Sequence, residues 1–254
     1  MSSSLTVFLF DPEFTRGFVG SRDDESMQAI HAEFRDEMAR DDDWFSSAIA
    51  NGAPTSAEAL HALVYGGPFD ENPQHAFQYG HAYKRLCTLT GSRLDNSWFC
   101  PFRGDWLEVV DEGLRALRVT AISLAEFGQY GGLPATVPSY DLPRCGEWTH
   151  EQCLEALAQF EQSRREGQAP PLDPSVLGAI EEVVGWLRGA RTARLRPAQA
   201  RPGSGIVGFV SWWAGLEGGP GSVRRACPGA PSSCANVDPV ADKMPSRPCV
   251  TSLC

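Results

Sequence analysis

The sequence predicts an α+β fold: mostly helical, with a small sheet covered by helices and a disordered C-terminal tail. The sheet strands are expected near residues 4–10 and 119–124. Three observations carry this. Leu5 to Phe10 is a short apolar, partly β-branched run, as expected of a strand buried on both faces. Between Asp11 and Arg188, apolar residues recur at steps of three and four behind recognisable caps. Beyond Arg188 that periodicity stops.

In chain order, Asp11-Pro12 reads as an N-cap followed by proline in the first helical turn. Ser21 caps the next helix, whose buried stripe is Met27, Ile30, Phe34 and Met38. Asp41-Asp42-Asp43 precede Trp44-Phe45 and are expected at a helix N-terminus, where negative charge is favoured. A calcium loop needs alternating oxygen ligands and a glycine turn, which are missing here, so no metal is assigned. Thr55-x-x-Glu58 is a capping box for the helix carrying Leu60, Leu63 and Val64, which Gly66-Gly67-Pro68 ends. Helical spacing returns from Ala76 to Leu89 and closes at Gly91. Residues 92–104 are irregular and aromatic. Asp105 opens a helix through Leu117, and Val119 to Leu124 is the second strand candidate.

Gly128 to Pro143 is a long proline-rich loop. Thr149-x-x-Gln152 caps a helix with Cys153, Leu154, Leu157 and Phe160 inward. Asp173-Pro174 starts the last helix, with Val176, Leu177, Ile180, Val183, Val184 and Leu187 inward, packed on its predecessor. Ile206 to Trp213 is a brief apolar run. The division is therefore one globular domain over 1–210 and a Gly/Pro/Ser/Cys-rich tail over 211–254. Such a composition does not repay the entropy of ordering, and disorder is predicted from about residue 214. A shifted reading frame and a native tail account for it equally well.

Charge narrows the function classes. Residues 1–195 hold 29 acidic and 16 basic side chains, and the whole chain carries −10. A nucleic-acid binder presents a basic face, so that class loses weight, while a basic protein partner gains some. No stretch has the length and apolarity of a membrane span, and the short N-terminal apolar run lacks a basic leader. A cytoplasmic protein is expected. The eight cysteines show no C-x-x-C pair, so buried free thiols are expected in the body of the chain.

Candidate site residues concentrate between Tyr65 and Trp106. His81, within Tyr79-Gly80-His81-Ala82-Tyr83, is the candidate for acid–base work, but no nucleophile motif accompanies it. Asp95 and Asn96 form turns by default, and could present polar groups to a ligand beside Arg103, a potential anion clamp. Tyr65, Tyr79, Tyr83, Trp98 and Phe102 form either an aromatic pocket or core packing. The ligand-binding candidates are thus Tyr79, His81, Tyr83, Asp95, Asn96 and Arg103; no catalytic set, metal or cofactor is assigned.

Several rare combinations occur together: Ser4-Leu5-Thr6-Val7, Gly20-Ser21-Arg22-Asp23-Asp24, Asp41-Asp42-Asp43-Trp44-Phe45, Gly66-Gly67-Pro68-Phe69-Asp70, Phe77-Gln78-Tyr79-Gly80, Leu94-Asp95-Asn96-Ser97, Pro101-Phe102-Arg103-Gly104, Gly131-Gly132-Leu133-Pro134 and Gly146-Glu147-Trp148. In that order they resemble a bacterial family of domains of unknown function, DUF7691, over roughly residues 1–210. The resemblance implies a shared fold and supplies no activity. The residues themselves favour a non-catalytic binding or interaction protein of immunity or regulatory type with an acidic surface. The alternative is a small-molecule-binding protein or hydrolase with its site in the Tyr65–Arg103 region.

Overall fold

The computed structural model describes residues 2–129, 132–139, 141–167, 170–192 and 203–212. It holds a four-stranded antiparallel sheet in the order β2-β1-β4-β3. The strands are β1 (Ser3–Phe10), β2 (Ser92–Arg93), β3 (Arg144–Trp148) and β4 (Gly205–Trp212). β1 and β4 pair along their full lengths, from Ser3↔Trp212 to Phe10↔Gly205. The two central strands thus come from opposite ends of the described chain.

Helices cover both faces of this sheet, because successive side chains of β1 point to opposite sides. Leu5, Val7 and Leu9 enter one core with α7 (Trp106–Ala116), α8 (His150–Glu166) and α9 (Pro174–Thr192). Phe8 and Phe10 enter the other with α2 (Asp24–Glu33), α3 (Arg35–Trp44), α5 (Ser56–Tyr65) and α6 (Phe77–Thr90). This is the predicted α+β class, and β1 is the predicted central strand, buried on both faces. Two short helices, α1 (Pro12–Arg16) and α4 (Ser46–Ala50), complete the set among the described residues.

Local signals set most boundaries. The Asp11 side chain accepts from the Phe14 amide at 3.0 Å and starts α1. Both capping boxes close: Thr55 with Glu58 on α5, and Thr149 with Gln152 on α8. Gly66 and Gly167 end those helices in the left-handed region, which glycine enters without the Cβ penalty. α8 and α9 are neighbours, as expected.

Several expectations need correction. Ser21 does not cap α2: Asp23 does, its carboxylate accepting from the Glu25 and Ser26 amides, and the stripe from Met27 to Met38 is divided between α2 and α3 at Phe34. Val119 to Leu124 is not a strand. Side chains claim its backbone instead: Thr120 and Ala121 donate to Gln159 Oε1, and Leu124 and Ala125 to the buried Asp111 carboxylate. Its place in the sheet is taken by β3, out of the proline-rich stretch, and by β4, inside the run noted only as apolar. The triple aspartate does not begin a helix: it lies in the last turn of α3, whose dipole disfavours it. Other elements compensate, as Asp42 accepts from the Ser56 amide at the start of α5 and Asp41 pairs with Arg85 of α6. Leu154 and Leu177 face outward, 37% and 40% exposed, because each sits one residue off its helix's buried stripe. The domain limit moves too: Ser211 and Trp212 belong to β4 rather than to a tail. The expectation for residues 213–254 lies outside the described residues, as do the last four cysteines. Of the other four, Cys87, Cys145 and Cys153 are buried free thiols, and Cys100 is partly buried. No helix among the described residues is long and apolar enough to cross a membrane.

Candidate functional site

α6 carries two kinds of side chain. Tyr79, Ala82, Tyr83, Leu86 and Cys87 are buried in the second core. Phe77, His81, Lys84 and Thr88 recur at steps of four, three and four, which puts them on one face. That face lines a cleft of about 560 Å³ between α6, α3 and the sheet. α3 and the bend after it supply Glu37, Arg40, Asp41, Trp44 and Phe45. The sheet supplies Thr6 and Phe8 from β1, Arg93 from β2, and Ser211 and Trp212 from β4. The volume falls in the usual range for small-molecule sites.

The walls are aromatic. Phe45 lies 4.5 Å from Phe77 and 5.7 Å from the His81 ring, centroid to centroid. His81 is partly buried in this setting. Burial, helped by the nearby Arg85 and Lys84 cations, pushes its imidazole down to about 3. Behind the wall, Arg85 is 1% exposed. Its guanidinium bonds the Asp41 carboxylate, and its Nε lies 3.6 Å from Glu37. Burial raises the Asp41 carboxyl despite the opposing pull of Arg85. The floor is polar: Thr6 and Ser211 are 2% and 7% exposed, and neither hydroxyl has a hydrogen-bond partner. The neighbouring Ser4 hydroxyl, opposite Ser211 in the β1–β4 ladder, is also buried and unpartnered.

The sequence-derived candidates do not converge here, apart from His81. Tyr79 is buried and its hydroxyl accepts from the Asp70 amide at 2.7 Å. Tyr83 is fully buried, and burial drives its phenol well up. Asp95 is exposed, and its carbonyl accepts from the Trp186 indole on the other side of the sheet. The Asn96 side chain is buried and donates to the Leu5 carbonyl. Arg103 donates from Nε to the Ser2 hydroxyl at 3.0 Å, and clamps neither Asp95 nor Asp105. The five aromatics divide as well. Tyr65, Tyr79 and Tyr83 pack in the second core, Trp98 and Phe102 in the first.

Sequence reasoning missed Thr6, Arg40, Trp44, Lys84, Thr88, Arg93, Ser211 and Trp212. Lys84 and Thr88 could have been found from their helical spacing to His81. Thr6 and Ser211 meet only through strand pairing between residues some 200 positions apart. Among the described residues, no group of three or more His, Cys, Asp or Glu is placed to hold a metal ion.

No curated protein and no solved structure shows significant similarity to this chain. Residues 1–211 match the domain of unknown function DUF7691, a span that ends within β4, one residue before the strand does; the chain belongs to that family.

Proposed function

We propose that the protein is a non-catalytic binding protein that takes a small organic molecule into the cleft between α3, α6 and the sheet. The observation that carries this reading is the floor. A buried hydroxyl without a partner costs about 1–3 kcal/mol, and Thr6 and Ser211 present two of them at the base of one cavity. A polar group of a bound ligand meets that requirement. The arrangement supports binding over catalysis. His81 with its imidazole near 3 is neutral and a weak base in the physiological range, and among the described residues no hydroxyl or thiol nucleophile is bonded to it. The exposed acids Asp24, Glu25, Glu33, Asp36 and Asp43 of α2 and α3 form the acidic surface expected to meet a basic partner. That surface offers charge without a second feature that selects a partner, so the cleft carries the reading.

The test is a fragment screen followed by thermal shift, on the native protein and two variants. Thr88→Trp fills the cleft, while Arg103→Ala changes a side chain outside it. Ligand shifts should vanish with Thr88→Trp and persist with Arg103→Ala. Shifts that survive Thr88→Trp would place binding elsewhere and overturn the reading.

A further inference from the structure

We propose that the cleft takes an uncharged, planar aromatic molecule whose edge carries both a hydrogen-bond donor and an acceptor, as an aromatic lactam does. This rests on the cleft being a binding site and adds the class of ligand. The floor comes first. Thr6 stands opposite Phe209 in the β1–β4 ladder, and Ser211 stands opposite Ser4. Thr6 and Ser211 are therefore diagonal neighbours on one face of the sheet, and both hydroxyls are buried without a partner. Such positions lie about 7–8 Å apart, a span that two hydrogen bonds and the edge of one ring can bridge. Each hydroxyl can donate and accept. A carboxylate would only accept from this pair, and an ammonium would only donate to it. A cis-amide edge, with its N–H beside its C=O, does both.

The walls come second. Among the described residues, four large hydrophobic side chains are strongly exposed, and the two most exposed are Trp44 at 66% and Trp212 at 51%. Both line this cleft, together with Phe34, Phe45 and Phe77. Flat apolar surfaces of this kind take an aromatic ring by offset or edge contacts. Covering two solvent-facing indoles removes a large apolar area from water, which favours a ring over a small polar solute.

Charge comes third. Among the described lining residues, Arg40, Lys84 and Arg93 balance Glu37, Asp41 and Asp141. Each carboxylate has a cation beside it: Arg85 holds Asp41 and lies near Glu37, and Arg144 lies 3.9 Å from Asp141. Lys84 acts on the Asp41 carboxyl, and both Lys84 and Arg93 have interactions of their own. Arg40 is exposed, so water solvates its guanidinium, and His81 is neutral. An ionic ligand would give up its hydration among these rings and meet no uncompensated charge in return. An uncharged ligand loses far less on entry, and its polar edge is met by the two hydroxyls.

The experiment compares four two-ring probes by isothermal titration: isoquinolinone (the lactam), its N-methyl form, naphthoate and naphthylmethylammonium. The native protein should bind the lactam at least about tenfold more tightly than each of the other three. The double variant Thr6→Val, Ser211→Ala, which only removes unpartnered hydroxyls, should bring the lactam and its N-methyl form to within about twofold of each other. Naphthoate or ammonium binding as tight as the lactam, and blocked by Thr88→Trp, would overturn the uncharged class and leave the cleft reading standing. A lead of the lactam over its N-methyl form that is missing in the native protein, or that survives the double variant, would overturn the role of the floor. Lactam binding that Thr88→Trp does not weaken would overturn both the class and the cleft reading. Failure of all four probes would overturn the class, and the cleft reading would fall with it only if no other fragment binds there.

Discussion

His81 is neutral in the folded protein because a protonated imidazole would be stranded among Phe45, Phe77, Arg85 and Lys84. Its folded value of about 3 lies below the ordinary 6.5, so the unfolded chain binds a proton that the folded chain refuses. The resulting stability is fully present above 6.5 and is lost as pH falls towards 3. Lowering the pH from about 7 to about 5 should cost the native protein on the order of 2 kcal/mol more than it costs His81→Gln. Urea midpoints at the two pH values measure it, and equal losses would show that His81 is protonated in the folded state. At this scale the sequence was partly legible. His81 stood out by its neighbours, and Lys84 and Thr88 share its helix face. Arg103 and Asp95 stood out as well, but their partners, Ser2 and Trp186, are remote in sequence. No local spacing announces such pairs.

Among elements, the contact between the sheet and the turn at Leu124–Gly128 is set by two glycines. Gly146 of β3 and Gly208 of β4 are direct cross-strand partners. A Cβ on Gly146 would lie 2.4 Å from the Glu126 carbonyl oxygen, and one on Gly208 would lie 2.7 Å from the Phe127 ring. Phe127 therefore sits flush on bare backbone, beside the Trp148 ring at 4.4 Å. Gly146→Ala should destabilise the protein by about 1–3 kcal/mol, the usual range for an overpacked core. Gly128→Ala, where a Cβ meets nothing within 4 Å, should change stability little. Denaturant melts of the two variants compare them, and a Gly146→Ala melt matching the native one would refute the close packing. Helices were legible at this scale because their caps are local: the Thr55 and Thr149 boxes close as read. β3 was not. Its five residues include a glycine and show no alternation, and the ladder to β4 rather than propensity makes it a strand. Val119 to Leu124 had the right composition for a strand, yet Asp111 and Gln159 hold its amides.

For the whole molecule, the two core layers share β1 and β4. Ile206, Val207, Phe209 and Val210 are all buried, two in each core. Removing residues 205–212 should therefore abolish cooperative unfolding rather than merely lower the melting temperature. Near-ultraviolet circular dichroism and calorimetry test this, and a sharp residual transition would show that the helices fold without the strand. The α+β class was legible because β1 reads as a doubly buried strand and the helical stripes are strong. The partner of β1 was not, because an apolar run after a long Arg- and Pro-rich stretch carries no mark of where it pairs.

The pairing of β1 with β4 has a temporal consequence. Ribosomes deliver β1 first and its central neighbour about 200 residues later. At roughly 5–20 residues per second, the Leu5–Phe10 segment waits some 10–40 seconds, roughly, for its main ladder. During that interval an aggregation-prone strand edge is on display with no native neighbour to cover it. The fold is closed last by the strand that also brings Ser211 and Trp212 to the cleft, so each newly made chain completes its sheet and its candidate binding site in the same step.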